Sequence, residues 1–131
     1  MAATSGENRK INILVVDDEQ LVADSLVKVL NMVGFNAFPL YCGSDAVEQA
    51  TQNPYDVLIC DVVMVGMTGI DAAIEICKVN PKCKVLLMSG DPLTIDMLKD
   101  AHERGHDFDI LAKPVPPSEL IDRLKAMSVL N

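Results

Sequence analysis

A chain of 131 residues, half of them apolar, has the size of one domain around one buried core, and a second domain has nowhere to fit. A net charge of −8 and a pI near 4.5 weigh against direct binding of nucleic acid or an anionic membrane, which carry the same sign, and favour cations and basic partners. No apolar run approaches the roughly 20 residues that span a bilayer, and the opening MAATSGENRK lacks the apolar stretch of a signal peptide, so no membrane insertion and a cytoplasmic location are expected.

Residues 1–10 read as a flexible polar tail. Ile11 to Val16 is an apolar run of strand length that stops abruptly at Asp17-Asp18-Glu19. Val22, Leu26, Val29 and Val33 then form one helical stripe, and Gly34 is a natural stop. Phe35 to Leu40 is the second strand, followed by a short helix capped by Gly43-Ser44-Asp45, running through Ala46, Val47 and Ala50, and ended by Asn53-Pro54. The third strand, Asp56 to Cys60, leads to a helix with Ile70, Ala73, Ile74 and Cys77 on one face, which Asn80-Pro81 breaks. Lys84 to Met88 is the fourth strand. A helix from about Pro92, with Leu93, Met97 and Ala101 at spacing four, stops near Gly105. Phe108 to Leu111 is the fifth strand, and Pro116 opens a last helix carrying Leu120, Leu124 and Met127 and ending near Val129.

Strands alternating with helices predict a five-stranded parallel sheet covered on both faces, a doubly wound α/β domain. In such a sheet ligands bind beyond the carboxyl ends of the strands. Those ends carry Asp17, Asp18 and Glu19; then Asp61; then Ser89 and Gly90; then Lys113 and Pro114. Singly each has a plain structural use, as a helix cap, a loop opener or a solvated charge. Together they are a constellation. Gathered carboxylates repel by about 4 kcal/mol per pair at ~4 Å and an effective dielectric of ~20. A cation must offset that, and oxygen donors with retained water suit Mg2+ better than Ca2+, while zinc lacks nearby His or Cys. A divalent ion beside a carboxylate, an ammonium and a hydroxyl is the equipment of phosphoryl transfer, with Asp61 as nucleophile and Asp17 and Asp18 as the metal-holding pair.

The Val15-Val16-Asp17-Asp18-Glu19 strand end, the stretch from Asp61 through Gly66-Met67-Thr68-Gly69, the Met88-Ser89-Gly90 strand end and Lys113-Pro114 closely resemble the receiver domain of two-component response regulators, of the single-domain, chemotaxis-protein-like kind. The likeness spans about Ile11 to Val129 and implies a flavodoxin-like (βα)5 fold with strand order 2-1-3-4-5, with residues 11–131 as the receiver and no output domain. It implies that Asp61 accepts a phosphoryl group from a sensor histidine kinase, a phosphotransfer protein or a small phosphodonor, and signals to a downstream protein target. Asp18 and Asp61 would bind Mg2+ directly, Asp17 through water, and Val63 through its backbone carbonyl. Ser89 would bond a phosphoryl oxygen, and Lys113 would pair with the acyl phosphate across a Lys113-Pro114 bond that is commonly cis in this family. On this reading the protein is a signalling phosphoacceptor rather than an enzyme.

Several positions depart from the family pattern. Val65 replaces a proline, Gly90 a commoner alanine, and Ile110 the Tyr or Phe whose swing reports phosphorylation, with Phe108 expected to be core. Val63 and Asp91 resemble positions that tune hydrolysis, and the apolar Val63 predicts slow self-dephosphorylation. Cys42, Cys60, Cys77 and Cys83 read as reduced structural thiols. His102 and His106 are four apart, but Gly105 ends their helix and removes the metal geometry. Met64 and Met67 are the methionines set to touch a partner. The alternatives are a small phosphohydrolase with an Asp nucleophile, which lacks a substrate-binding cap here, and a pseudo-receiver that binds a partner without phosphorylation.

Overall fold

The computed structural model describes residues 10–91 and 94–127. In chain order its elements are β1 (Asn12–Val16), α1 (Gln20–Met32), β2 (Asn36–Leu40), α2 (Gly43–Gln52), β3 (Val57–Asp61), α3 (Gly69–Val79), β4 (Lys84–Ser89), α4 (Thr94–Glu103), β5 (Asp109–Ala112) and α5 (Pro117–Ala126). The five strands form one parallel sheet in the order β2-β1-β3-β4-β5, as the resemblance implies. Alternation along the strands sends Leu14, Val16, Leu58, Cys60 and Leu87 to the face covered by α2, α3 and α4. Ile13, Val15, Ile59, Leu86 and Met88 go to the face covered by α1 and α5. Covering on both faces explains why β1, β3 and β4 are apolar almost throughout.

Helix α1 buries Ala23, Leu26, Val27 and Leu30, a stripe at i, i+3, i+4 and i+7. This corrects the expected Val22-Leu26-Val29-Val33 stripe, of which only Leu26 is buried and Val33 is 51% exposed. The helix axis is turned so that small Ala23 faces the sheet, and Val22 and Val29 instead line a cavity of about 610 Å3 beside Lys113 and Pro114. The end of α1 is a Schellman motif: the Phe35 N–H donates to Leu30 O at 3.0 Å and the Gly34 N–H to Asn31 O at 3.2 Å. Gly34 has φ +104°, the left-handed conformation this cap requires. The same pattern ends α4, where the His106 N–H donates to Ala101 O and the Gly105 N–H to His102 O, both at 2.9 Å. His102 and His106 therefore stand on opposite sides of a reversal; His102 pairs with Asp107, and His106 stacks on Phe108.

Two further expectations need correction. Helix α2 begins at Gly43 with Cys42 at its N-cap and no side-chain capping bond, so Gly43-Ser44-Asp45 form its first turn rather than its cap. Asp45 still favours the positive helix end. Met64 is buried against α2 and α3, so it offers nothing to a partner, whereas Met67 is half-buried. Strand and helix limits otherwise agree to within one or two residues. Residues 1–9, Pro92 and Leu93, and the end of the last helix near Val129 lie outside the described residues.

Candidate functional site

Asp17, Asp61, Ser89 and Lys113 lie at or just past the ends of β1, β3, β4 and β5, so parallel pairing brings them to one edge. The ladder runs on past the strands: Val62 N–H donates to Met88 O and Lys113 N–H to Ser89 O, both at 3.0 Å. These bonds fix the backbone at the point where each side chain leaves the sheet.

Asp17 is fully buried. Its Oδ1 accepts the Glu19 N–H at 2.9 Å, and its Oδ2 lies 2.9 Å from Lys113 Nζ. The same ammonium is 3.5 Å from Asp61 Oδ1 and 3.7 Å from Glu19 Oε1. Asp18 is exposed, and its Oδ2 accepts the Val65 N–H at 3.3 Å. A proline at position 65 would lack that N–H, so Val65 allows the loop after Asp61 to be tied to Asp18. Asp17, Asp18 and Asp61 each offer a carboxylate oxygen, and these oxygens lie within 4.8 Å of one another.

Electrostatics match that crowding. Burial, then the Asp17 charge, push the Asp61 carboxyl up from 3.8 to about 6, with Asp18 adding to the rise and Lys113 working against it. For Lys113 burial opposes the charged form, but the hydrogen bond to Asp17 and the charges of Asp61, Asp17 and Glu19 outweigh it and raise its pKa. The neighbouring Cys60 thiol is pushed far up by burial, then by Asp61 and Asp17, so it stays protonated and inert. Lys113 thus leaves the carboxylates short of positive charge. A hard divalent ion fits that deficit and this oxygen-only donor set.

Ser89 is buried at the end of β4. Its Oγ accepts the Asp91 N–H at 3.0 Å and meets the hydroxyl of Thr94, the first residue of α4. Val63 is in the loop two residues beyond Asp61 and is 47% exposed. The Lys113-Pro114 bond is cis. A methyl group on Gly90 would meet Lys113 Cβ at 3.7 Å, an ordinary contact, so an alanine would also fit there. Ile110 is half-buried on the face of β5 toward α4 and packs in the same cluster as Met97 and Leu98; Phe108 joins that cluster, as expected of a core residue.

Two residues gain roles that the sequence did not signal. Gly69 begins α3, with its N–H donating to Val62 O at 2.8 Å. A Cβ there would fall 2.0 Å from the Asp61 carbonyl oxygen, so only glycine lets the helix start this close to the acceptor strand. Thr94 is the buried partner of Ser89, and no spacing rule links two hydroxyls five residues apart in the chain.

The family model described as "Response regulator receiver domain" matches residues 13–125. The chain is 29% identical over 121 residues to a probable transcriptional regulatory protein, TcrX, of Mycobacterium tuberculosis, covering 92% of this chain and 51% of that protein. It thus spans about half the length of that relative. It is 26% identical over 117 residues to the response regulator receiver protein CpdR of Brucella abortus, covering 89% and 96%. A CheY-like receiver domain protein from Methanospirillum hungatei superposes with a TM-score of 0.82 at 20% identity, over 91% of this chain and 94% of that one, a likeness of fold. Among the described residues no helix is long and apolar enough to cross a membrane.

Proposed function

Because this chain belongs to the response regulator receiver domain family of two-component systems, we propose that Asp61 accepts a phosphoryl group from a histidine kinase, a phosphotransfer protein or a small phosphodonor, in a Mg2+-dependent relay to a protein target. An Asp61 carboxylate oxygen attacks the phosphorus of a phosphohistidine. The P–N bond breaks, its electron pair leaves on the imidazole, and an acyl phosphate forms on Asp61.

Lys113, already 3.5 Å from Asp61 Oδ1, pairs with the charge that arrives on the phosphoryl oxygens. Asp17 holds the ammonium from its far side at 2.9 Å and so aims it. Ser89 donates its hydroxyl to another phosphoryl oxygen. Asp18, Asp61 and the Val63 carbonyl, with Asp17 through water, are the residues that would hold Mg2+, which neutralises phosphate charge when bound. Val63 presents no polar side-chain atom to orient an attacking water, so the acyl phosphate is long-lived.

The observation that carries this reading is one buried carboxylate at the end of a central strand, beside a lysine and within 4.8 Å of two more carboxylates. Incubation with a small phosphodonor tests it. Stoichiometric labelling is expected in Mg2+, with loss of labelling in chelator and in Asp61→Asn. Equal labelling of Asp61→Asn and wild type would contradict it.

A further inference from the structure

Ser89, buried at the end of β4, is engaged from the side of α4. Its Oγ accepts the Asp91 N–H at 3.0 Å and meets the hydroxyl of Thr94, the first residue of α4. Thr94 is 3% exposed, so its hydroxyl is held away from bulk water, and its N–H donates to Asp91 O at 3.1 Å. A serine hydroxyl has one proton and two lone pairs. The Asp91 N–H takes one lone pair, and the Thr94 hydroxyl, as donor or acceptor, engages the same oxygen, so the two contacts hold Ser89 Oγ on the α4 side.

We propose that Thr94 is a positioning residue that holds Ser89 turned toward α4 in the unphosphorylated protein, so that Thr94 competes with a phosphoryl group on Asp61 for the Ser89 hydroxyl. The inference rests on Asp61 being the phosphoacceptor. The Ser89 hydroxyl is then a shared ligand. A neutral hydrogen bond that must be given up weakens phosphoryl binding by about three- to tenfold. Removing the competitor should return that factor.

The experiment titrates beryllium trifluoride, a phosphoryl mimic, into the Mg2+-loaded protein by calorimetry. Thr94→Val, which keeps the shape and removes the hydroxyl, is expected to bind it about three- to tenfold more tightly than wild type. Thr94→Ser, which restores the hydroxyl, is expected to track wild type. In wild-type protein the Asp91 and Thr94 amide resonances are expected to shift on binding, a readout independent of whether Thr94→Val folds. Equal or weaker binding by Thr94→Val overturns the proposal, as does a Thr94→Ser that behaves like Thr94→Val, or amide resonances that stay in place. Wild type and Asp61→Asn are run together to separate the two readings. Binding by wild type alone upholds the phosphoacceptor and leaves Thr94 to be judged on its own variants; no Asp61-dependent binding overturns the phosphoacceptor and this inference with it.

Discussion

At the edge where the strands begin, Asp56 Oδ2 accepts the Asn12 N–H at 2.8 Å, Asn36 Nδ2 donates to Asn12 Oδ1 at 2.7 Å, and Asn80 Nδ2 donates to Tyr55 O at 2.9 Å. At the edge where the same strands end, three carboxylates crowd within 4.8 Å, with Lys113 set among them. The first edge matches donors to acceptors and closes the sheet. The second concentrates like charges that its lysine does not offset, and so is built to gain stability only when positive charge or a protonated state arrives. One end of the sheet serves the fold and the other stores the site's demand for a ligand.

Substitutions at the two edges should separate these roles. The largest effect is expected at the acceptor edge from Gly69→Ala, whose Cβ would meet the Asp61 carbonyl oxygen at 2.0 Å. Urea unfolding should show a loss of about 3 kcal/mol, because the obstacle is backbone and cannot turn aside. Full stability in that variant would mean that α3 does not start against Asp61. At the opposite edge Asp56→Ala removes the acceptor of the Asn12 N–H. A loss of about 1–2 kcal/mol is expected, with phosphodonor labelling unchanged. A comparable fall in labelling would erase the distinction between the edges.

The smallest effect has the opposite sign. Asp61 is raised from 3.8 to about 6 in the folded, metal-free protein, so the folded state binds its proton more tightly than the unfolded chain does. Metal-free stability therefore falls as pH rises from about 4 through about 6. Asp61→Asn escapes that cost and should be more stable than wild type at neutral pH by on the order of 1 kcal/mol, allowing for screening by water in the pocket. Added Mg2+ should reverse the order. Thermal melts across that pH range, with and without Mg2+, check both signs.

Much of this arrangement was readable from the chain itself. Apolar runs that stop at Asp17, Asp61, Ser89 and Lys113 mark strand ends because buried strands cannot carry such groups farther in. The orientation of α1 was not readable: Val22 and Val29 are larger and more apolar than Ala23, yet the sheet accepts Ala23 and leaves Val22 and Val29 beside a cavity. Periodicity fixes the spacing of a face, while close packing chooses which face. Gly69 and Thr94 stayed hidden for a related reason. Each matters through a neighbour in space, the Asp61 carbonyl and the Ser89 hydroxyl, that no local pattern announces.

Three neighbouring aspartates lie close enough to be the acceptor, and Asp61 is the one assigned that role. Mapping the modified peptide by fragmentation mass spectrometry after phosphodonor treatment in Mg2+ tests it most directly. One phosphoryl group, carried by Asp61, is expected. A phosphoryl group found on Asp17 or Asp18, or labelling that persists in Asp61→Asn, would contradict it.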